Sequence, residues 1–342
     1  MGMAKRSYSK KGSKMEPAPT RLTFSIPSGQ INGTHYIDLS QCASLVNRRF
    51  YRQGINWAVA GIRVNVQNTG ATANITVSKL PNTWVMSNSW TKGFKSWQRM
   101  NNEALAESDS VRPKFLDFKI YADANHHAQG FVGNLLPWSL QSQFAAGEWS
   151  SSKISVPLVS PAGAFSPGET VERELIATGA SYPGASAVTG FDAVSLIEGY
   201  AASRGLPNIA DPNTPDDASD TGGGTPENWM QAIFNEGTDQ SADVLEDMIT
   251  ENTIAPYPFE GDGVATDTQY PGGANQGIGL EIVDQSYVTA TTVGGSTFLQ
   301  GSNFPCGLVR LDVLGFESDT EIYVDLVPGH HRGYLCEPMT EM

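Results

Sequence analysis

Apolar and polar residues alternate with a period of two along much of this chain, the spacing that puts one face of a strand in a core and the other in water. Leu22, Phe24 and Ile26 share one such face, and Pro27, Ser28 and Gly29 close the segment. An extended run follows over 34–40. The clearest strand pattern spans 55–67, with Ile55, Trp57 and Val59 on one face and then Ile62, Val64 and Val66. The change of face at Ala60 and Gly61 predicts a bulge. A turn at 68–70 and a return strand at 74–79 predict that 55–79 forms an antiparallel pair. Further strands are expected at 113–122, 151–159, 278–283, 287–293, 296–299, 307–314 and 320–327. About nine or ten short strands without strand–helix–strand spacing indicate an all-β sandwich, and the long loops between them indicate a jelly roll.

The period changes in two places. Trp90, Phe94, Trp97, Asn101 and Leu105 follow helical spacing, so 90–106 reads as a helix within an insertion of about 87–108, with Ser87 to Ser89 as its N-cap. Residues 41–54 carry Leu45, Val46 and Phe50 beside Arg48, Arg49 and Arg52, a short helix or irregular turn with a cationic face that Gly54 ends. Residues 125–149 read as loop. From 161 to 277 the strand signal fades, leaving short helical patterns at 192–203, 226–235 and 241–250 and an Asp-, Pro- and Gly-rich stretch at 211–224. That block reads as a large acidic loop excursion facing water; a separate second domain is the alternative.

Composition agrees with a loop-rich β protein. Of 342 residues, 39% are hydrophobic and 17% charged, with 35 Gly and 20 Pro. No run of about eighteen apolar residues occurs, so no membrane span is expected. The N-terminus lacks the apolar segment of a secretory signal. Cys42, Cys306 and Cys336 are far apart and odd in number, which fits reduced thiols in a protein that is not secreted.

Charge changes the picture more. The net charge of −14 conceals an asymmetry. Residues 1–120 hold 17 Lys and Arg against 6 Asp and Glu, a balance of +11, while 121–342 hold 5 against 30, a balance of −25. Between Arg204 and Arg310 there are 16 acids and no cation. A protein with one surface toward a polyanion and another toward solvent has use for such a division. Residues 1–21 contain six cations, one acid and no apolar periodicity. They read as a disordered basic arm, whose uses are nucleic-acid binding, a nuclear address or solubility. The candidate phosphate contacts are Lys5, Arg6, Lys10, Lys11, Lys14 and Arg21, joined by Arg48, Arg49 and Arg52.

Signatures of catalysis are missing: the chain has no GxSxG, P-loop, GxGxxG after a strand, or HExxH. No enzymatic activity and no cofactor are therefore expected. His126–His127 and His330–His331 are adjacent pairs that a strand would point to opposite faces, so no metal site is expected from them. Asp211, Asn213, Asp216, Asp217 and Asp220 suggest a calcium loop, but the glycine and the bidentate glutamate that such a loop needs are absent, and a solvated acidic loop is the better account.

Two C-terminal strings, NFPCGLVRLD at 303–312 and VDLVPGHHRGYLCEPM at 324–339, resemble the closing strands and tail of capsid proteins from small circular single-stranded DNA viruses that encode a replication protein, the circovirus-like group. KLPNTW at 79–84 with WTKGF at 90–94 is similar to the same group. The resemblance runs from the basic arm to the tail. It implies a single eight-stranded viral jelly roll over 22–342, an icosahedral T=1 shell of about sixty copies, and the arm of 1–21 inside on the genome. The partners it implies are further copies of the chain, the single-stranded DNA, a nuclear import receptor and a host-cell receptor, in the virion and in the host nucleus during assembly. The arm is shorter and poorer in arginine than circovirus-like arms, and the acidic excursion is large. The alternative is a jelly-roll glycan-binding, lectin-like module whose acidic loops hold calcium; a secreted hydrolase ranks third.

Overall fold

In the computed structural model, residues 17–106, 117–159, 165–204, 229–230, 279–289 and 295–342 are described. The chain opens with β1 (Arg21–Ile26) and β2 (Gly33–Asp38), turns through helix α1 (Leu39–Asn47), and continues as β3 (Ile55–Val66), β4 (Thr69–Lys79) and the long α2 (Trp84–Ala106). Helix α3 (Ala124–Gln129) precedes β5 (Lys153–Val159), β6 (Phe165–Ile176), β7 (Ala193–Ser195) and α4 (Leu196–Arg204). Then follow β8 (Glu281–Val288), β9 (Ser296–Gln300), β10 (Asn303–Phe304), β11 (Leu308–Phe316) and β12 (Thr320–Leu326). Three short pieces close the chain: β13 (Pro328–Gly329), β14 (Gly333–Tyr334) and β15 (Cys336–Pro338).

The strands build an all-β sandwich of antiparallel sheets. One layer runs β1-β12-β3-β9, with β10 and β15 added along the first half of β3. The other runs β2-β11-β4-β8. Alternation decides which side chains meet between them. Phe24, Ile322 and Val64 lie side by side in one layer, and Ile37, Val309, Leu311, Ile75 and Val77 come from the other, all fully buried. Each such side chain contributes roughly 1.5–3 kcal/mol by leaving water. A one-residue slip of β12 would bury Glu321, Tyr323 and Asp325 in their place, so the pattern also fixes the register.

The bulge expected at Ala60 is present. Asp325 pairs with Gly61 and Leu326 with Val59, leaving Ala60 as the extra residue. Gly301 fits against it so closely that a Cβ there would lie 2.2 Å from the Val59 carbonyl oxygen and 2.3 Å from that of Ala60. The expected 55–79 pair is not formed. β3 and β4 join different layers, because β12 and β9 flank β3 while β11 and β8 flank β4. The turn at Asn68 therefore crosses between sheets, and local alternation carries no information about which sheet a strand joins.

A second core sits beside the sandwich. Trp84, Trp90 and Trp97 of α2 pack with Phe118, Ile154, Val156, Leu175, Leu196 and Tyr200, and with Trp229. β5 pairs antiparallel with β6, and β6 pairs parallel with the short β7. The described residues 165–204 of the acidic excursion are thus largely strand and helix with a buried side, not water-facing loop. The charges of Glu172, Arg173 and Glu174 masked the strand signal of β6. Helix α2 begins at Trp84, not after the serines proposed as its cap: Thr83 Oγ1 accepts from the Met86 N–H at 3.4 Å, while Ser87 donates to the Met339 carbonyl. Of the strand expected at 113–122, residues 117–120 are irregular, and Tyr121 makes a single bridge to Ile176. Where two strands were expected over 278–293, the described residues 279–289 form one, β8, and 290–293 lie outside the described residues. The helical patterns at 226–235, apart from Trp229 and Met230, and at 241–250 lie outside the described residues, as does 211–224.

Candidate nucleic-acid interface

Of the nine proposed contact residues, Lys5, Arg6, Lys10, Lys11 and Lys14 lie outside the described residues. Arg21 is not part of an arm but the first residue of β1. Its guanidinium donates two hydrogen bonds to Asp325, at 2.6 and 2.9 Å, and lies over the Tyr323 ring. The remaining three gather at the end of α1.

Helix α1 starts from a buried carboxylate. Asp38 accepts from the N–H groups of Ser40 and Gln41, the N-cap arrangement that satisfies donors a helix leaves open. It also accepts from Gln53 Nε2 at 3.0 Å and from the Trp149 indole at 2.9 Å. Burial pushes its carboxyl up to about 6, against the lowering effect of those donors. The helix ends at Arg48, whose left-handed backbone (φ 52°) lets its N–H reach the Ser44 carbonyl. Glycine is the usual residue there. Arg332, in the turn between β13 and β14, has the same positive φ of 52°. Non-glycine residues in that region cost on the order of 1–3 kcal/mol and concentrate at functional sites.

Arg332 donates to the Phe50 carbonyl at 2.6 Å, which brings the C-terminal turn against the segment after α1. Tyr51 donates to the Arg332 carbonyl from below. The Tyr334 hydroxyl accepts from Asn47 Nδ2 and donates to the Pro19 carbonyl, both at 2.8 Å. Residues 17–20 therefore run past the last turn of α1 before entering β1.

Between this last turn and the loop 146–149 lies an open cleft of about 280 Å³. Arg48, Arg49, Phe50 and Leu45 line one side, and Glu148 and Trp149 the other. Lys119 brings its amine over the Trp149 ring, 4.6 Å from the centroid, and to 5.9 Å from that of Phe50. It also pairs with Asp117 at 3.1 Å. Arg52 is exposed next to this wall. The corner thus joins Arg48, Arg49 and Arg52 to Lys119 and Arg332, with Glu148 and Asp117 as the nearby acids. Lys119, Trp149 and Arg332 were not among the contacts read from sequence. They lie far along the chain from α1, and only the fold joins them.

The histidine pairs do other work. His126 and His127 are buried in α3, not loop, and point to different partners. His126 accepts the Ala122 N–H at Nδ1 and donates from Nε2 to Asn134 Oδ1, which makes it the neutral tautomer; burial holds it down at about 4. His127 bonds Glu174 at 3.0 Å. Burial pushes the Glu174 carboxyl up, but hydrogen bonds from His127, Ser151 and Thr189 together outweigh it and leave it below the ordinary value. Among the described residues no group of three His, Cys, Asp or Glu is placed to hold a metal ion, and no helix is long and apolar enough to cross a membrane. Comparison with protein-family models gives no match, and neither do comparisons with curated proteins or with solved structures.

Proposed function

We propose that this chain is the structural subunit of a small icosahedral virus shell. About sixty copies assemble with T=1 symmetry around a circular single-stranded DNA, which they hold through phosphate contacts that do not read sequence. In this reading the protein is not an enzyme. It functions in the virion and assembles in the host nucleus, with the arm read by an import receptor and the outer surface by a host-cell receptor.

The observation that carries the proposal is the convergence at the end of α1. The chain before Pro17 holds five cations, Lys5 to Lys14, and the described residues that follow it are tied through the Pro19 carbonyl and Tyr334 to Asn47 in the last turn of α1, next in sequence to Arg48 and Arg49. Arm and arginine corner then act as one cationic surface. Strand order supports the jelly-roll part of the reading. The first four long strands alternate between the layers, β1 and β3 in one and β2 and β4 in the other, and so do β8, β9, β11 and β12. Two interleaved Greek keys produce that order.

Expression of the full chain tests the proposal. Hollow or filled particles of megadalton mass are expected, and removal of residues 1–16 should leave particles that retain far less nucleic acid. Binding should weaken steeply with salt and differ little between sequences. Monomers at every salt and pH would sink the shell reading, and a small sugar-binding oligomer would favour the glycan-binding alternative. Equal nucleic-acid content with and without residues 1–16 would sink the packaging role of the arm.

A further inference from the structure

The cleft at the end of α1 combines charge with apolar walls, which phosphate neutralisation alone does not require. We propose that it is a subsite for one unpaired nucleotide, with the base against Phe50 and Trp149 and the phosphate at Arg48 and Arg49. The biological setting rests on the packaging reading above; the binding chemistry does not.

Three observations and one general property of single strands favour this occupant. The cleft, about 280 Å³ and open to solvent, lies just under the roughly 300 Å³ at which small-ligand pockets start, room for one small group such as a base rather than for a stacked base pair. Only an unpaired strand offers its base faces and edges to aromatic side chains, the mode by which single strands are bound without sequence readout. The Trp149 indole is already oriented by its hydrogen bond to Asp38, itself held by Ser40, Gln41 and Gln53, so little ordering remains for binding to supply. Glu148, on the wall with Trp149, repels phosphate and leaves the arginine side as its place.

The experiment compares full-length protein on three labelled 20-mers at fixed salt: oligo(dT), an abasic strand with the same phosphates, and a duplex. The expected result is an affinity for oligo(dT) on the order of tenfold above the abasic strand and the duplex. Phe50→Leu keeps an apolar side chain without a π face; it should abolish the preference for oligo(dT) over the abasic strand. Arg48→Ala with Arg49→Ala should weaken all three probes and reduce the slope of log affinity against log salt by roughly 1–2. Particle formation and the circular dichroism spectrum of each variant report separately on fold and assembly. Equal affinity for oligo(dT) and the abasic strand, or an unchanged preference in Phe50→Leu, overturns the subsite and leaves the shell reading standing. Preference without particles overturns the shell and leaves the subsite standing.

Discussion

Asp38 has no solvent exposure, accepts four hydrogen bonds and joins α1, Gln53 and Trp149, so its replacement by asparagine separates two effects. Asparagine is a good N-cap, and its Oδ1 keeps the Ser40 and Gln41 contacts. Its amide group, however, faces the Gln53 and Trp149 donors. Each buried donor left without an acceptor costs about 1–3 kcal/mol, a penalty that does not vary with pH. The second effect does. Burial raises the folded carboxyl from the ordinary 3.8 to about 6. Between those values the folded protein keeps a proton that the unfolded chain releases, so stability falls as pH rises through the window. The contribution is fully present below pH 3.8, is gone above about 6, and amounts to about 3 kcal/mol. The variant lacks it. Denaturant unfolding of dissociated subunits, followed by tryptophan fluorescence at pH 4, 5, 6 and 7, measures the difference. Asp38→Asn should be most destabilised relative to wild type near pH 4, and the gap should narrow by about 3 kcal/mol toward pH 7. A gap that is constant, or that widens with pH, would refute the reasoning: the four donors would then hold the carboxylate ionised despite burial.

Four other outcomes are expected. His126 is held neutral at about 4, below the ordinary 6.5, so the unfolded chain protonates first on acidification; the wild type should lose about 3 kcal/mol between pH 6.5 and 4 that His126→Gln does not lose, in the same unfolding assay. Gly301→Ala sets a Cβ against two backbone carbonyls at the β3 bulge and should cost more than about 3 kcal/mol or prevent folding, seen as loss of soluble protein or a lower Tm. Tyr334→Phe removes the hydroxyl between Asn47 and Pro19; it should cost about 1 kcal/mol and speed proteolytic release of the chain before β1. Cys42 and Cys306 are buried with thiols pushed well up, and Cys336 is pushed up to about 12, so a thiol reagent at pH 8 should modify all three in denaturant and none promptly in the folded protein.

Periodicity revealed the strands that line one core, and it located the bulge, because β1, β3, β11 and β12 each bury every second residue. It failed at β6, where Glu172, Arg173 and Glu174 follow one another, and at β4, whose partners are set by strands more than 200 residues away. The arginines of 48–52 were legible as a cluster on a short helix. Their surroundings were not, since Lys119, Trp149 and Arg332 reach the corner from three distant parts of the chain. One signal was present and went unread: Asp38 followed three residues later by Gln41 is the pattern of a helix start. It would have moved the start of α1 back to Leu39 and marked Asp38 as a cap.

The cations of the described residues divide by what they face. Arg21 pairs with Asp325, Arg310 with Asp123 and Asp312, and Lys153 with Glu172, so each of these charges is largely compensated within the fold. The end of α1 is held differently. Apart from the Lys119–Asp117 pair, the ties shown for it run to uncharged groups: the Tyr334 hydroxyl between Asn47 and Pro19, the Tyr51 hydroxyl on a carbonyl, and Arg332 on the Phe50 carbonyl. Arg48 and Arg52 form no ion pair among the described residues, and a carbonyl leaves the charge of Arg332 in place. A surface that releases counterions from a polyanion needs charge of this kind, because a cation already paired to a carboxylate displaces little on binding. Salt should therefore separate the two groups. Phosphate binding at the α1 corner should fall linearly in log affinity against log salt, while the partly buried Arg310–Asp123 pair, screened less, should hold the β2–β11 face to α3 over the same range.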